Sequence, residues 1–175
     1  MYEIGDLIVY GSDGVCRVES IGAPDISGAS KDRLYYTLAP LYRTGKIFTP
    51  VDGKVFTRPV ITRDEAVCLV RCIHTTEAKV CDTKNLRLLS EHYQAALTSH
   101  DCTDLVRLIK AVYLKRQSFA ESGRKLGQID ERYLKRAEDL LYGELAVALE
   151  LERDSVPGYI ESAVTAIESG AEWNG

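Results

Sequence analysis

The apolar residues of this 175-residue chain change period partway along, and that change restricts what the chain can fold into more than any other feature. From residue 1 to about 75 the pattern is short and alternating. Leu7 and Val9, Val15 and Val18, Tyr35 to Leu38, Ile47 to Val51, and Val67 to Cys72 predict five strands rich in Val, Ile, Tyr and Thr. Turn formers stand between them: Gly11-Ser12-Asp13-Gly14, the Gly22 to Asp32 loop with Pro24 and Gly28, Tyr42 to Gly45, and Val51-Asp52-Gly53. Five short strands joined by such turns predict a small, strongly bent antiparallel β-barrel of Tudor-like or SH3-like architecture.

From about Thr83 the period becomes helical. Leu86, Leu89, Tyr93, Ala96 and Leu97 share one face of a first helix. Asp101 and Asp104 form a capping arrangement before Leu105, Leu108, Ile109, Val112 and Tyr113 on a second. Ser118 to Leu126 reads as a short third helix ended by Gly127. Asp130 caps a long fourth running to about Glu150, and Pro157 opens a last one with Tyr159, Ile160, Ala163, Val164 and Ile167 on its apolar face. The expected architecture is therefore α+β in two modules: a barrel over residues 1–75 and an all-α bundle of about five helices over 83–168, with the boundary in HTTEAKVCDT.

The stretch GDLIVYGSDGVCRV tests whether the glycines serve an anion. A phosphate loop needs glycines between a strand and a helix, so that helix N-terminal amides face the ligand. Here GSDG leads into VCRVESI, a second strand, so strand-turn-strand is expected. No GKS, GKT or G-x-G-x-x-G occurs, nor a G-x-S-x-G, and His74, His92 and His100 fall in no pattern that designates a base. These absences argue against an enzyme and against a cofactor.

Five cysteines, Cys16, Cys68, Cys72, Cys81 and Cys102, lack the spacing of a disulfide framework and read as reduced thiols in a cytoplasmic protein. Cys68, Cys72, His74 and Cys81 contain no C-x2-C pair, so no metal is expected; a thiol or metal sensor built on Cys68, Cys72 and Cys81 stands as a third reading of the chain. No apolar run approaches the roughly 20 residues that cross a bilayer, so no membrane partner is expected.

The net charge of −4 conceals a local reversal. Residues 107–136 carry nine Lys or Arg against Glu121, Asp130 and Glu131, whereas beyond Arg136 only Arg153 is basic among nine acids. Such a block is either a solvated helix face or a surface that meets a polyanion.

Three segments taken in order carry a family resemblance. IGDLIVYGSDGVCRVESI resembles the opening of the CarD/CdnL family of bacterial transcription regulators, whose N-terminal module also occurs in the transcription-repair coupling factor. SHDCTDLVRLIKAVYLKR and ERYLKRAEDLLYGELAVAL resemble that family's later helices. The resemblance implies a Tudor-like RNA polymerase-interacting domain followed by a compact helical bundle. The barrel then binds the polymerase β subunit, and the bundle touches promoter DNA at the upstream edge of the melted region. A monomer with no catalysis and no cofactor is implied. On the polymerase side it points to Lys46, Ile47, Phe48, Thr49 and Pro50 and to the loop near Ile26. Two positions often arginine in the family correspond to Pro24 and Phe48, with Arg33, Arg43 and Lys46 available to replace the charge. On the DNA side it points to Arg107, Lys110, Arg132 and Arg136. A tryptophan that many members place at the start of the helical domain, as a wedge at the bubble edge, corresponds to Leu86. The only tryptophan, Trp173, is expected in a loosely ordered tail. The competing class is a protein-protein adaptor whose barrel binds a partner while the bundle makes no DNA contact.

Overall fold

The computed structural model describes residues 1–23, 32–173 and 175. The chain divides into two compact units, Met1–Ile61 and Thr62–Gly175.

The first unit is an antiparallel sheet of β1 (Leu7–Tyr10), β2 (Gly14–Gly22), β3 (Tyr35–Pro40), β4 (Ile47–Pro50) and β5 (Thr57–Pro59), in the order β4-β3-β2-β1-β5. Alternation buries Ile8, Tyr10, Cys16, Val18, Tyr36 and Leu38 on one face, against Tyr2, Ile21, Ile47 and Val51. The opening stretch is strand, turn, strand as expected: Leu7 pairs with Arg17 and Tyr10 with Gly14. Gly11 (φ +44°) and Gly14 (φ +81°) hold the left-handed conformations the reversal needs, and a Cβ on Gly11 would come within 3.0 Å of Val55.

Two expectations for this unit are corrected. Its fifth strand is Thr57–Pro59, paired with β1, and not residues 67–72. Pro59 is tolerated because β5 is an edge strand. Among the described residues, moreover, β4 and β5 are not joined by a ladder, so the sheet is open and closure into a barrel is not seen.

The second unit contains α1 (Arg63–Cys72), α2 (Leu86–Thr98), α3 (Cys102–Glu121), α4 (Gln128–Leu149) and α5 (Val156–Glu168), with 3-10 turns at Ile73–Thr75 and Arg153–Ser155. The segment expected as a strand is helix α1. Thr62 opens it with a capping box: its hydroxyl accepts from the Glu65 amide at 3.2 Å, and the Glu65 carboxylate accepts from the Thr62 amide at 2.7 Å. Ala66 and Val70, one turn apart, are both fully buried. Residues 62–75 accordingly belong to the second unit, and the division falls at Ile61 rather than near residues 74–83.

The short helix expected over Ser118 to Leu126 is also absent. α3 runs unbroken to Glu121 and ends at Gly123 (φ +70°), where the Arg124 amide donates to the Phe119 carbonyl at 2.7 Å. Gly127 ends nothing and instead precedes α4, where the Asp130 carboxylate accepts from its amide at 3.3 Å. Among the described residues there are five α-helices, with α1 in place of the one that is missing. Trp173 packs against the bundle, contrary to expectation: its ring meets Tyr159 edge-on at 5.4 Å and its carbonyl accepts from Arg71 at 3.3 Å.

Asp101 and Pro157 stand where expected, at the openings of α3 and α5. None of the five cysteines forms a disulfide; Cys16 and Cys102 are buried, and burial pushes the Cys16 thiol up to about 11. Among the described residues no helix is long and apolar enough to cross a membrane.

Candidate polymerase-facing edge and nucleic-acid-facing end

In the first unit the residues Ile47, Phe48, Thr49 and Pro50 are brought together as β4, whose inner side pairs with β3 and whose outer side is an edge of the sheet. Side chains alternate across it. Thr49 is 6% exposed beside Tyr36, whereas Phe48 is 39% exposed on the opposite face. The three cations flank this edge, each engaged by an acid: Arg33 with Asp52 at 2.7 Å, Lys46 with Glu19 at 2.8 Å, and Arg43 with Asp13 of the β1-β2 turn. The hydrogen bond from Arg33 holds the Asp52 carboxyl below its usual range. These surface pairs cost little to exchange for a partner's carboxylates. Pro24 and Ile26 lie outside the described residues.

In the second unit α3 and α4 are antiparallel neighbours. Cys102 reaches Glu144 at 3.3 Å, Tyr113 donates to Glu138 at 2.7 Å and Arg116 to Glu131 at 3.0 Å. That register separates the expected DNA contacts. Arg107 lies level with the second half of α4, borders a groove of about 730 Å³ with Thr75, His92 and Thr103, and pairs with Asp104 at 2.7 Å. Lys110 is committed inward: its ammonium donates to the carbonyls of Ile73, His74 and Thr76 at 2.8, 3.2 and 2.7 Å, tying down the segment that follows α1. Arg132 and Arg136, one turn apart, sit instead in the first half of α4.

The basic side chains do gather at the end of the bundle where α3 passes into α4, partly around residues the sequence reading had counted but not singled out. Arg124 stacks on the Phe119 ring at 4.0 Å, Arg116 on Tyr113 at 5.3 Å and Arg132 on its neighbour Tyr133 at 5.1 Å, with Lys125 and Lys135 exposed nearby in sequence. The signal available in the sequence was the interleaving of these aromatics with the cations. α2 follows a strap whose Cys81 carbonyl accepts from Lys115 of α3 at 3.1 Å, and its N-terminus is apolar and exposed. There Leu86 is 63% exposed and Leu88 53% exposed, immediately after the cap at Asn85, whose side chain accepts from the Arg87 and Leu88 amides at 3.1 and 3.2 Å. The second unit thus carries an exposed apolar tip at the start of α2 and cations laid on aromatic rings along α3 and α4. Among the described residues no three His, Cys, Asp or Glu side chains gather as a metal would need.

One buried constellation was not anticipated. Lys115, counted in the basic block, and Asp130, read only as a cap, are each 3% exposed and meet at 2.9 Å. Tyr93 donates to the same carboxylate oxygen at 2.6 Å, and Lys115 also reaches the Cys81 carbonyl at 3.1 Å. The network ties α2, α3 and α4 to the strap before α2.

No curated protein matches the chain. Residues 2–55, which span β1 to β4, match the family model of the CarD-like/TRCF RID domain, so the N-terminal unit is similar to that domain.

Proposed function

We propose that this protein is a non-catalytic, bacterial transcription regulator that grips RNA polymerase with its N-terminal unit and promoter DNA with its helical unit. RID domains are RNA polymerase-interacting domains, and the match over residues 2–55 is the observation that carries the reading. The partner surface is the β subunit, met along β4, because an unpaired edge strand offers a row of amides and carbonyls for strand addition. The basic end of the bundle, with Arg116, Arg124, Arg132 and Arg136, meets the DNA backbone, and Leu86 with Leu88 meets the edge of the melted region. Stability of the open complex is thereby adjusted. A leucine at the wedge position supplies less stacking than an aromatic ring, whose insertion at a base step is worth a few kcal/mol, so the effect on open-complex lifetime is weaker or differently directed.

The experiment is binding of the full chain to the polymerase β subunit and to a premelted promoter fragment. Submicromolar β-subunit binding is expected, with DNA affinity that falls steeply with salt and drops further in Arg124→Ala/Arg132→Ala. Leu86→Trp is expected to lengthen open-complex lifetime.

The adaptor reading has one observation in its favour, namely that much of the basic block is internally engaged, Lys110 by backbone carbonyls, Lys115 by the buried Asp130, and Arg107 and Arg116 by acids. β-subunit binding with salt-independent, negligible DNA affinity selects it.

A further inference from the structure

The groove that Arg107 borders is a space the helical unit leaves open. α2 contributes Ala95 and Ala96 to its lining and α3 contributes Ala111, and these methyl groups are too small to fill the gap beside Leu108. The volume of about 730 Å³ lies well inside the roughly 300–1,000 Å³ typical of small-molecule sites. Leu108 and Ala111 are buried, as is Tyr93, whose ring lies tilted against the His92 ring at 5.6 Å. The floor is therefore apolar, and the apolar part of a ligand is stabilised by covering it.

The rim is polar and carries both signs of charge. Glu77 and Lys79 come from the strap between α1 and α2, Asp104 and Arg107 from α3. Arg107 and Asp104 answer each other at 2.7 Å. Among the described residues Glu77 and Lys79 form no ion pair, with each other or with any other side chain, although both border the groove. Beside them the Thr75 and Thr76 hydroxyls donate to the Cys72 carbonyl at 3.1 and 2.8 Å, which leaves both oxygens as acceptors. The strap is fixed on both sides of the two charges: Lys110 holds the carbonyls of Ile73, His74 and Thr76 before them, and Lys115 holds that of Cys81 after them. Their backbone is thus in place before a ligand arrives, which lowers the ordering cost of binding.

Two charges of each sign on one rim disfavour a ligand of a single sign, since a polyphosphate or a polyamine meets as much repulsion there as attraction. An uncharged ligand gains the floor alone. A zwitterion with an apolar body uses both parts of the site. We propose that this groove binds a zwitterionic amino-acid ligand, an α-amino acid or short peptide with a large apolar side chain. Its ammonium meets Glu77 and the threonine oxygens, its carboxylate meets Lys79, and its side chain covers Leu108, Ala111 and Tyr93. The site lies wholly within the helical unit and does not depend on the polymerase or DNA reading.

The test titrates the full, nitrogen-15-labelled chain with L-phenylalanine and, separately, with the dipeptide L-leucyl-L-phenylalanine. Saturable amide shifts confined to the strap, α2 and the first half of α3 are expected, and the tighter of the two probes identifies free amino acid or peptide as the source. N-acetyl-L-phenylalaninamide keeps the ring and lacks both charges, and it is expected to bind about tenfold more weakly. Glu77→Gln and Lys79→Gln should each weaken binding several-fold, as exposed charge pairs do. Ala95 is exposed, so Ala95→Trp can fill the groove without entering the core; loss of binding with an unchanged melting temperature is expected. No saturable shift from either probe at millimolar concentration overturns the site. Binding of the acetylated amide within twofold of phenylalanine overturns the zwitterion assignment, and wild-type affinity in Ala95→Trp overturns the groove as the place of binding.

Discussion

Lys115 is a lysine spent inside the protein. With Asp130 it forms an ion pair buried on both sides, and the carboxylate is completed by the Tyr93 hydroxyl and the Gly127 amide. Burial, and then the hydrogen bond to Asp130, push the Tyr93 hydroxyl far above its usual range, so it remains a donor at every accessible pH. The energetics of such a group are asymmetric. The intact pair adds little over a hydrophobic substitute, whereas removing one partner strands a buried charge at about 3–5 kcal/mol. Lys115→Met is therefore expected to lower urea-unfolding stability by roughly that amount. Lys115→Met/Asp130→Leu should cost less than the sum of the two single changes, because the stranded charge is gone. A loss below about 1 kcal/mol in Lys115→Met would show that water reaches the site and relieves the carboxylate.

At the scale of elements, α1 shows where local chemistry outweighs pattern. Val67 to Cys72 suggested a strand by alternation, yet Thr62 and Glu65 spell a capping box one turn upstream. That cap fixes where a helix begins, and Ala66 and Val70 at i and i+4 give it a buried stripe. Thr62→Ala is expected to cost about 1 kcal/mol by chemical denaturation, while Thr62→Asp, which keeps an acceptor, should cost much less. The same conflict of signals explains the other misplacements. Gly127 carried a helix-ending signal, but the left-handed residue that ends α3 is Gly123, four positions earlier. β5 was missed because a three-residue edge strand containing Pro59 has too little sequence to display a period. The central strands and the long helices were legible because each repeats its period over several buried positions. Of the candidate surfaces, β4 was legible as a contiguous strand. The proposed nucleic-acid end was only half legible, since charge counting cannot tell Lys110 and Lys115, consumed by carbonyls and a carboxylate, from Arg124 and Arg132, laid on rings.

The division of the whole molecule follows from where α1 finds its partners. Its buried residues pack against α4 and α5, while the sheet completes its own hydrophobic cluster from residues up to Val51 and closes its ladder at Pro59. The polymerase-binding unit is thus expected to be residues 1–61, a chain of a size that folds alone with only marginal stability. Extending it to residue 75 adds a 10-residue helix deprived of the surface that covers Ala66 and Val70. Isolated helices shorter than about 12–15 residues are marginal in water, so the added segment should contribute little helical signal. Fragment 1–61 is expected to unfold cooperatively in urea, and fragment 1–75 to show the same midpoint, almost no extra helical circular dichroism and greater dye binding from its exposed apolar stripe. A 1–75 fragment with a fully formed helix and a higher midpoint would instead mean that α1 finds a second partner in the sheet, and the functional unit would then have to be drawn to include it.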